Sequence, residues 1–119
     1  MNTIIEQIKQ TPASVDFNDV IATISKHYHY QPVRFTNGLA NNMIINQAGT
    51  NEGSCKIFAF AYLHQLSQTE TLACFGAFYR KDVLQHPQHT DHQNIRQFML
   101  SSWEGITFDH FPLTLKTAI

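Results

Sequence analysis

Residues Ser54 to Leu66, "SCKIFAFAYLHQL", constrain the fold more than any other stretch of the chain. Apolar side chains fall on most sides of a helix with this sequence, and such a helix is stable only when other elements cover it. Its polar stripe is narrow: Lys56 and His64, eight residues apart and therefore on one face. The rest of the chain is expected to pack around this segment. The loop just before it, "GTNEGSCK" from Gly49 to Lys56, is rich in hydrogen-bonding groups. A polar loop that opens onto a buried helix caps it, supplying partners for N–H groups that would otherwise be lost. The same junction is where a site at a helix N-terminus would be built.

The flanking segments supply the cover. Ile4, Ile5 and Ile8 share one face of a short helix that Pro12 stops. Asp16 is positioned to cap a second helix, in which Phe17, Val20, Ile21, Ile24 and Tyr28 follow helical spacing. Val33 to Gly38 alternates and ends in an Asn-Gly turn signal, which predicts a short strand. Met43 to Ile45 reads as either a buried strand or one helical turn. Ser67 and Glu70 have capping-box spacing and open a helix through Leu72, Phe75, Gly76, Tyr79 and Val83 as far as Pro87. Thr90 and Gln93 repeat that spacing before a helix with Ile95, Phe98, Met99 and Ser102 inward, stopped at Gly105. Ile106 to Phe111 alternates and is predicted to pair with the strand near Val33 to Thr36. The fold class is therefore α+β, mainly α: a compact bundle of about five helices with a small β-sheet. No repeat or linker divides the 119 residues, so one domain over 1–119 is expected.

Composition narrows the function. A net charge of −1 gives no electrostatic reason to expect nucleic acid or an anionic membrane as partner. No apolar run approaches the ~20 residues of a membrane span. The N-terminus "MNTIIEQIKQTP" lacks the parts of a Sec signal peptide. Cys55 and Cys74 are too few to form a disulfide framework or a zinc ligand set, and two thiols in a reducing compartment is the simpler account. No nucleotide-binding loop or nucleophile elbow is present, and no cofactor is expected.

Three groups of residues could carry chemistry. Cys55 lies at the start of the apolar helix, where N–H groups, the dipole and adjacent Lys56 favour a thiolate. A Cys-dependent hydrolase or transferase would need a base, and His110 beside Asp109, or His92 with Asn94, are the candidates. Free cysteine is also among the residues most often buried as packing. Glu52, Lys56, Arg80 and Arg96 each flank an apolar helix and could converge at one end of the bundle. With Asn51, Ser54, Asn94 and the helix N–H groups they would bind a carboxylate or phosphate; otherwise they form an ion-pair network. The run "HPQHTDH" offers His86, His89, Asp91 and His92, but Pro87 prevents helical ligand spacing, so a linker is expected and no metal site.

Four stretches, "NEGSCKIFAFA" (51–61), "FGAFYRKDVL" (75–84), "HQNIRQFM" (92–99) and "WEGITF" (103–108), resemble the HopJ type III effector family in order and over most of the chain. The resemblance implies a small bacterial single-domain protein, resident in the cytoplasm or delivered into host cells by type III secretion. It supplies no catalytic mechanism to carry over. Apolar patterning from Ile4 onward leaves little of the chain spare for a flexible export segment, so a resident housekeeping protein is also consistent with it. The expected function is binding, of a protein partner or a small anionic ligand, in a polar pocket near residues 49–56. A small cysteine enzyme is the alternative.

Overall fold

The computed structural model of the protein describes residues 1–116, so the last three residues of the expected 1–119 domain lie outside the described residues. Five helices, α1 (Asn2–Gln10), α2 (Phe17–His27), α3 (Glu52–Leu63), α4 (Gln68–Ala73) and α5 (Gln93–Ser101), surround an aromatic core. Five three-residue strands accompany them: β1 (Tyr28–Tyr30), β2 (Phe35–Asn37), β3 (Ile44–Asn46), β4 (Ile106–Phe108) and β5 (Leu113–Leu115). The α+β, mainly α reading describes this arrangement.

As its composition requires, α3 is the central element. Cys55 and Ile57 to Ala61 are all buried. Phe58 packs against Phe98 at 4.9 Å, Phe75 at 5.5 Å and Phe35 at 6.2 Å between ring centroids, so one side chain joins two helices, a strand and the turn after α4. Burial of a ring of this kind contributes about 3–5 kcal/mol, judged by typical Phe→Ala losses. The polar stripe of α3 docks on β1: Lys56 Nζ lies 4.7 Å from the Tyr30 ring centroid, and His64 Nε2 is 2.9 Å from the Tyr28 hydroxyl.

Local signals place the helix starts. Asp16 caps α2 by accepting from Asn18 N at 2.9 Å. Ser67 and Glu70 form a complete capping box on α4. Ile4 and Ile8 of α1, and Val20 and Ile24 of α2, are buried on the predicted faces.

The sheets carry the first corrections. β4 does pair with β2, antiparallel, with Thr36 opposite Thr107, and β3 takes the other edge. A second sheet was not expected: β1 pairs with β5, Tyr28 opposite Leu115. Tyr28 continues the α2 periodicity in sequence, which hides the point where helix gives way to strand. Of the two alternatives for Met43 to Ile45 the strand is found, as β3, preceded by a 3-10 turn (Ala40–Asn42), yet Met43 and Ile45 are exposed rather than buried.

The single helix expected from Ser67 to Pro87 is broken. Gly76 adopts φ +59°, and a Cβ there would meet Phe17 N at 2.7 Å, so the chain turns where it touches the start of α2. It resumes as a π-helical turn, Phe78–Val83. The second capping box also fails: His92 stands at the N-cap of α5 with no side-chain cap bond, and Gln93 instead donates to the Thr90 carbonyl. Nor does Met99 face inward.

Candidate functional site

Two helix starts meet at one cleft. Asn51 precedes α3 with φ 50°, and His92 precedes α5 with φ 52°; both are left-handed, and neither caps its helix with its side chain. The first helical hydrogen bonds run from Cys55 N to Asn51 O (3.0 Å) and from Arg96 N to His92 O (3.1 Å). The backbone N–H groups of residues 52–54 and 93–95 have no hydrogen-bond partner among the described residues. Those two first turns border an open cleft of about 500 Å³, with Asn51, Ser54, His92 and Asn94 at its polar side and Phe17, Phe75, Phe78 and Ile44 on its apolar walls.

A buried asparagine network holds the two starts together. Asn46 Oδ1 accepts from Asn51 Nδ2 at 2.7 Å and from Asn94 Nδ2 at 2.9 Å. Asn94 Oδ1 in turn accepts from Asn46 Nδ2 (3.1 Å) and Asn37 Nδ2 (3.0 Å), and Asn37 also donates to the Asn94 carbonyl at 2.8 Å. Asn37, Asn46 and Asn94 are 0%, 1% and 6% exposed, so each lost bond would leave a desolvated polar group. Asn37 Oδ1 is itself buried without a protein partner. The network therefore ties β2, β3, α3 and α5 into one rigid frame behind the cleft. Asn51 and Asn94 belong to the expected ligand-binding set, whereas Asn37 and Asn46 were missed. Asn37 looked like a turn residue because Gly38 follows it, and Asn46 stands in an Asn-rich stretch that gives no sign of burial.

The other expected site residues go elsewhere. Cys55 is 1% exposed, and its thiol is pushed up to about 11, chiefly by burial. The neighbouring Tyr30 hydroxyl opposes this, Glu52 adds to it, and Lys56 acts against it. The thiolate that a helix start was expected to favour is thus disfavoured, because burial takes the sulfur out of solvent. No histidine is bonded to the Cys55 sulfur among the described residues. His92 instead places Nε2 2.9 Å from Asp82 Oδ2. His110 is exposed beyond β4, and Asp109, expected to orient it, pairs with Arg34 at 3.3 Å. Asn94, expected beside His92, is committed to the asparagine network.

Glu52, Lys56, Arg80 and Arg96 do not converge through ion pairs. Burial, with Cys55 and Glu52 nearby, raises the Tyr30 hydroxyl, and Lys56 covers the Tyr30 ring. Arg80 donates to the Val15 carbonyl at 2.7 Å and the Pro12 carbonyl at 3.3 Å, fastening the π-helical turn to the segment before α2. Arg96 pairs with Asp91 at 2.7 Å. That guanidinium holds the Asp91 carboxyl below the usual carboxylate range despite opposing desolvation, with His92 and His89 adding smaller contributions.

Fold and cleft together define a helix-rich α+β protein with a polar cleft at two helix starts. The family model described as HopJ type III effector protein matches residues 1–113, and the chain belongs to that family. Among solved structures it is similar to a crystal structure described as that of an unknown function protein, VPA0580. The two share 46% identity over 98% of this chain and 93% of the other, with a TM-score of 0.92. No curated protein matches the chain. No helix among the described residues is long and apolar enough to cross a membrane.

Proposed function

We propose that this HopJ-family chain acts by binding a small anionic molecule with an apolar body in the cleft between the starts of α3 and α5. The observation that carries this reading is the convergence of two uncapped helix starts on one cleft. Six backbone N–H groups without protein partners, at two positive dipole ends, suit a carboxylate or phosphate. Each dipole end stabilises a nearby anion by about 0.3–1 kcal/mol. Phe17, Phe75, Phe78 and Ile44 suit an attached hydrocarbon or aromatic group. A ligand of this kind exchanges no covalent bond with Cys55, which lies buried one residue past the cleft edge.

The test is an amide-resolved NMR titration with aryl and alkyl carboxylates and phosphate monoesters. Saturable shifts centred on residues 52–54 and 93–95 are expected. Ser54→Glu, which places a competing carboxylate at the first turn of α3, should abolish them. Saturable shifts centred elsewhere, or none with any probe, would refute the proposal.

The family description adds the effector reading, in which the bound partner belongs to a host cell. A tagged chain tests export: recovery outside a secretion-competent strain, but not outside one lacking the apparatus, supports delivery. Retention in both supports a resident cytoplasmic role.

A further inference from the structure

We propose that Asp82, Asp91 and His92 form a divalent-cation site, matched best to zinc, at the rim of the cleft. The three side chains each offer one ligand atom, and those atoms lie within 4.8 Å of one another. His92 Nε2 is 2.9 Å from Asp82 Oδ2 and 3.7 Å from Asp91 Oδ2. Ligand atoms about 2.0–2.2 Å from a tetrahedral zinc stand roughly 3.4 Å apart, so these two separations bracket what one ion requires. One imidazole nitrogen and two carboxylate oxygens form a donor set zinc accepts, with the remaining coordination position left for water or a cleft ligand.

Arg96 makes the group a framed site instead of a chance meeting of surface charges. Its side chain is 15% exposed. Nε donates to the Asp91 carbonyl at 2.6 Å, and Nη2 reaches the His86 carbonyl at 3.1 Å and the Asp82 carbonyl at 3.5 Å. One guanidinium therefore holds both ligand-bearing segments. It bonds Asp91 through Oδ1, leaving Oδ2 toward His92, the outer-shell arrangement that orients a ligating carboxylate. Two carboxylates against one guanidinium leave one negative charge for a cation to neutralise when His92 is neutral. Backbone geometry contributes as well: Asp82 is carried on the π-helical turn, and His92 on a left-handed residue.

The simpler account is an ion-pair network in which His92, when protonated, bridges the two carboxylates. It explains the contacts but predicts no saturable metal binding, and that difference decides the matter. Of the residues that suggested a metal in sequence, Asp91 and His92 belong to the ligand group, whereas His86 and His89 stack on each other at 4.6 Å, are exposed, and lie outside it. The missing ligand is Asp82, ten residues upstream of His92 and across the Pro87 turn. This site does not depend on the anion reading of the cleft, and either can fail without the other.

The full chain, freed of metal by chelator dialysis, is titrated calorimetrically with zinc chloride alone. One zinc per chain is expected, bound saturably and raising the melting temperature. Asp82→Asn and His92→Asn should each weaken binding by about 10-fold or more, while the double variant His86→Asn/His89→Asn binds as the parent does. Asp82 is half-buried at the surface, so Asp82→Asn is the variant least exposed to misfolding, with circular dichroism checking each protein. Absence of saturable binding to the parent, unchanged affinity in Asp82→Asn, or loss confined to the His86/His89 variant would overturn the assignment.

Discussion

Asn51 and His92, 41 positions apart, share one backbone conformation, φ 50° and 52°, and each stands one residue before a helix that opens on the same cleft. A non-glycine residue held this way costs on the order of 1 kcal/mol or more, and it persists where surrounding contacts over-determine it. The contacts are visible: Asn51 is held by Asn46, and His92 by Asp82. Neither residue caps its helix through its side chain, and the first turns of both helices, their N–H groups without protein partners among the described residues, border the cleft.

Asn46 is the joint between the two starts. Asn46→Ala removes the acceptor shared by Asn51 and Asn94 and leaves the buried Asn94 amide short of a partner. Urea unfolding should show a loss of about 2–3 kcal/mol. Asn41→Ala, at an exposed position, should stay within about 0.5 kcal/mol of the parent.

Gly76 and Gly49 separate two costs that are often merged. Both have positive φ, +59° and +86°, but a Cβ at Gly49 meets nothing within 4 Å, whereas at Gly76 it meets Phe17 N at 2.7 Å. Gly49→Ala should cost about 1 kcal/mol from backbone strain alone. Gly76→Ala should cost clearly more, because backbone must move, and equilibrium unfolding of the pair measures the difference.

Both thiols are raised by burial, Cys55 to about 11 and Cys74 to about 12. Their protonated forms are favoured in the folded state, so the stability they contribute is intact below the unfolded thiol value near 9. It falls as pH rises toward the folded values. At about pH 10 the loss should be roughly 1 kcal/mol per thiol, and absent from the Cys55→Ala/Cys74→Ala variant when each protein is referred to its own neutral-pH stability. Alkylation of Cys55 below pH 9 should proceed only as fast as the protein opens.

His64 is lowered, first by burial and then by the charge of the N-terminal amine, while its ring lies 2.9 Å from the Tyr28 hydroxyl. A lowered base favours the neutral ring in the folded state. Its contribution is therefore present above the ordinary histidine value near 6.5 and lost as pH falls through the depressed one. Thermal melts of the parent and His64→Gln across pH 7 to 5 should converge as acid removes the parent's advantage. A constant gap would assign His64 a packing role only.

What was legible in the sequence was local. Asp16 and the Ser67/Glu70 pair act on N–H groups two or three residues away, and Ile4/Ile8 and Val20/Ile24 report their face by spacing alone. The apolar character of α3 required a central position whatever its neighbours. Asn51 is visible in the sequence as part of a polar loop and Asn94 as a neighbour of His92, but neither position announces the network the two join. β1 and β5 were missed because three residues carry too little alternation to outweigh the neighbouring helix pattern.

By itself, then, the sequence determined the capped starts of α2 and α4, the buried helix and the mainly α class, since each depends on contacts within a turn or two of chain. Tertiary structure decided that Cys55 would be desolvated, that Gly76 would turn against Phe17, and that Asp82 would meet His92. It also decided that three buried asparagines, Asn37, Asn46 and Asn94, would share one network that reaches out to Asn51. Those outcomes depend on which side chains distant segments bring together, and a polar or ionisable residue has no intrinsic preference strong enough to announce its partner in advance.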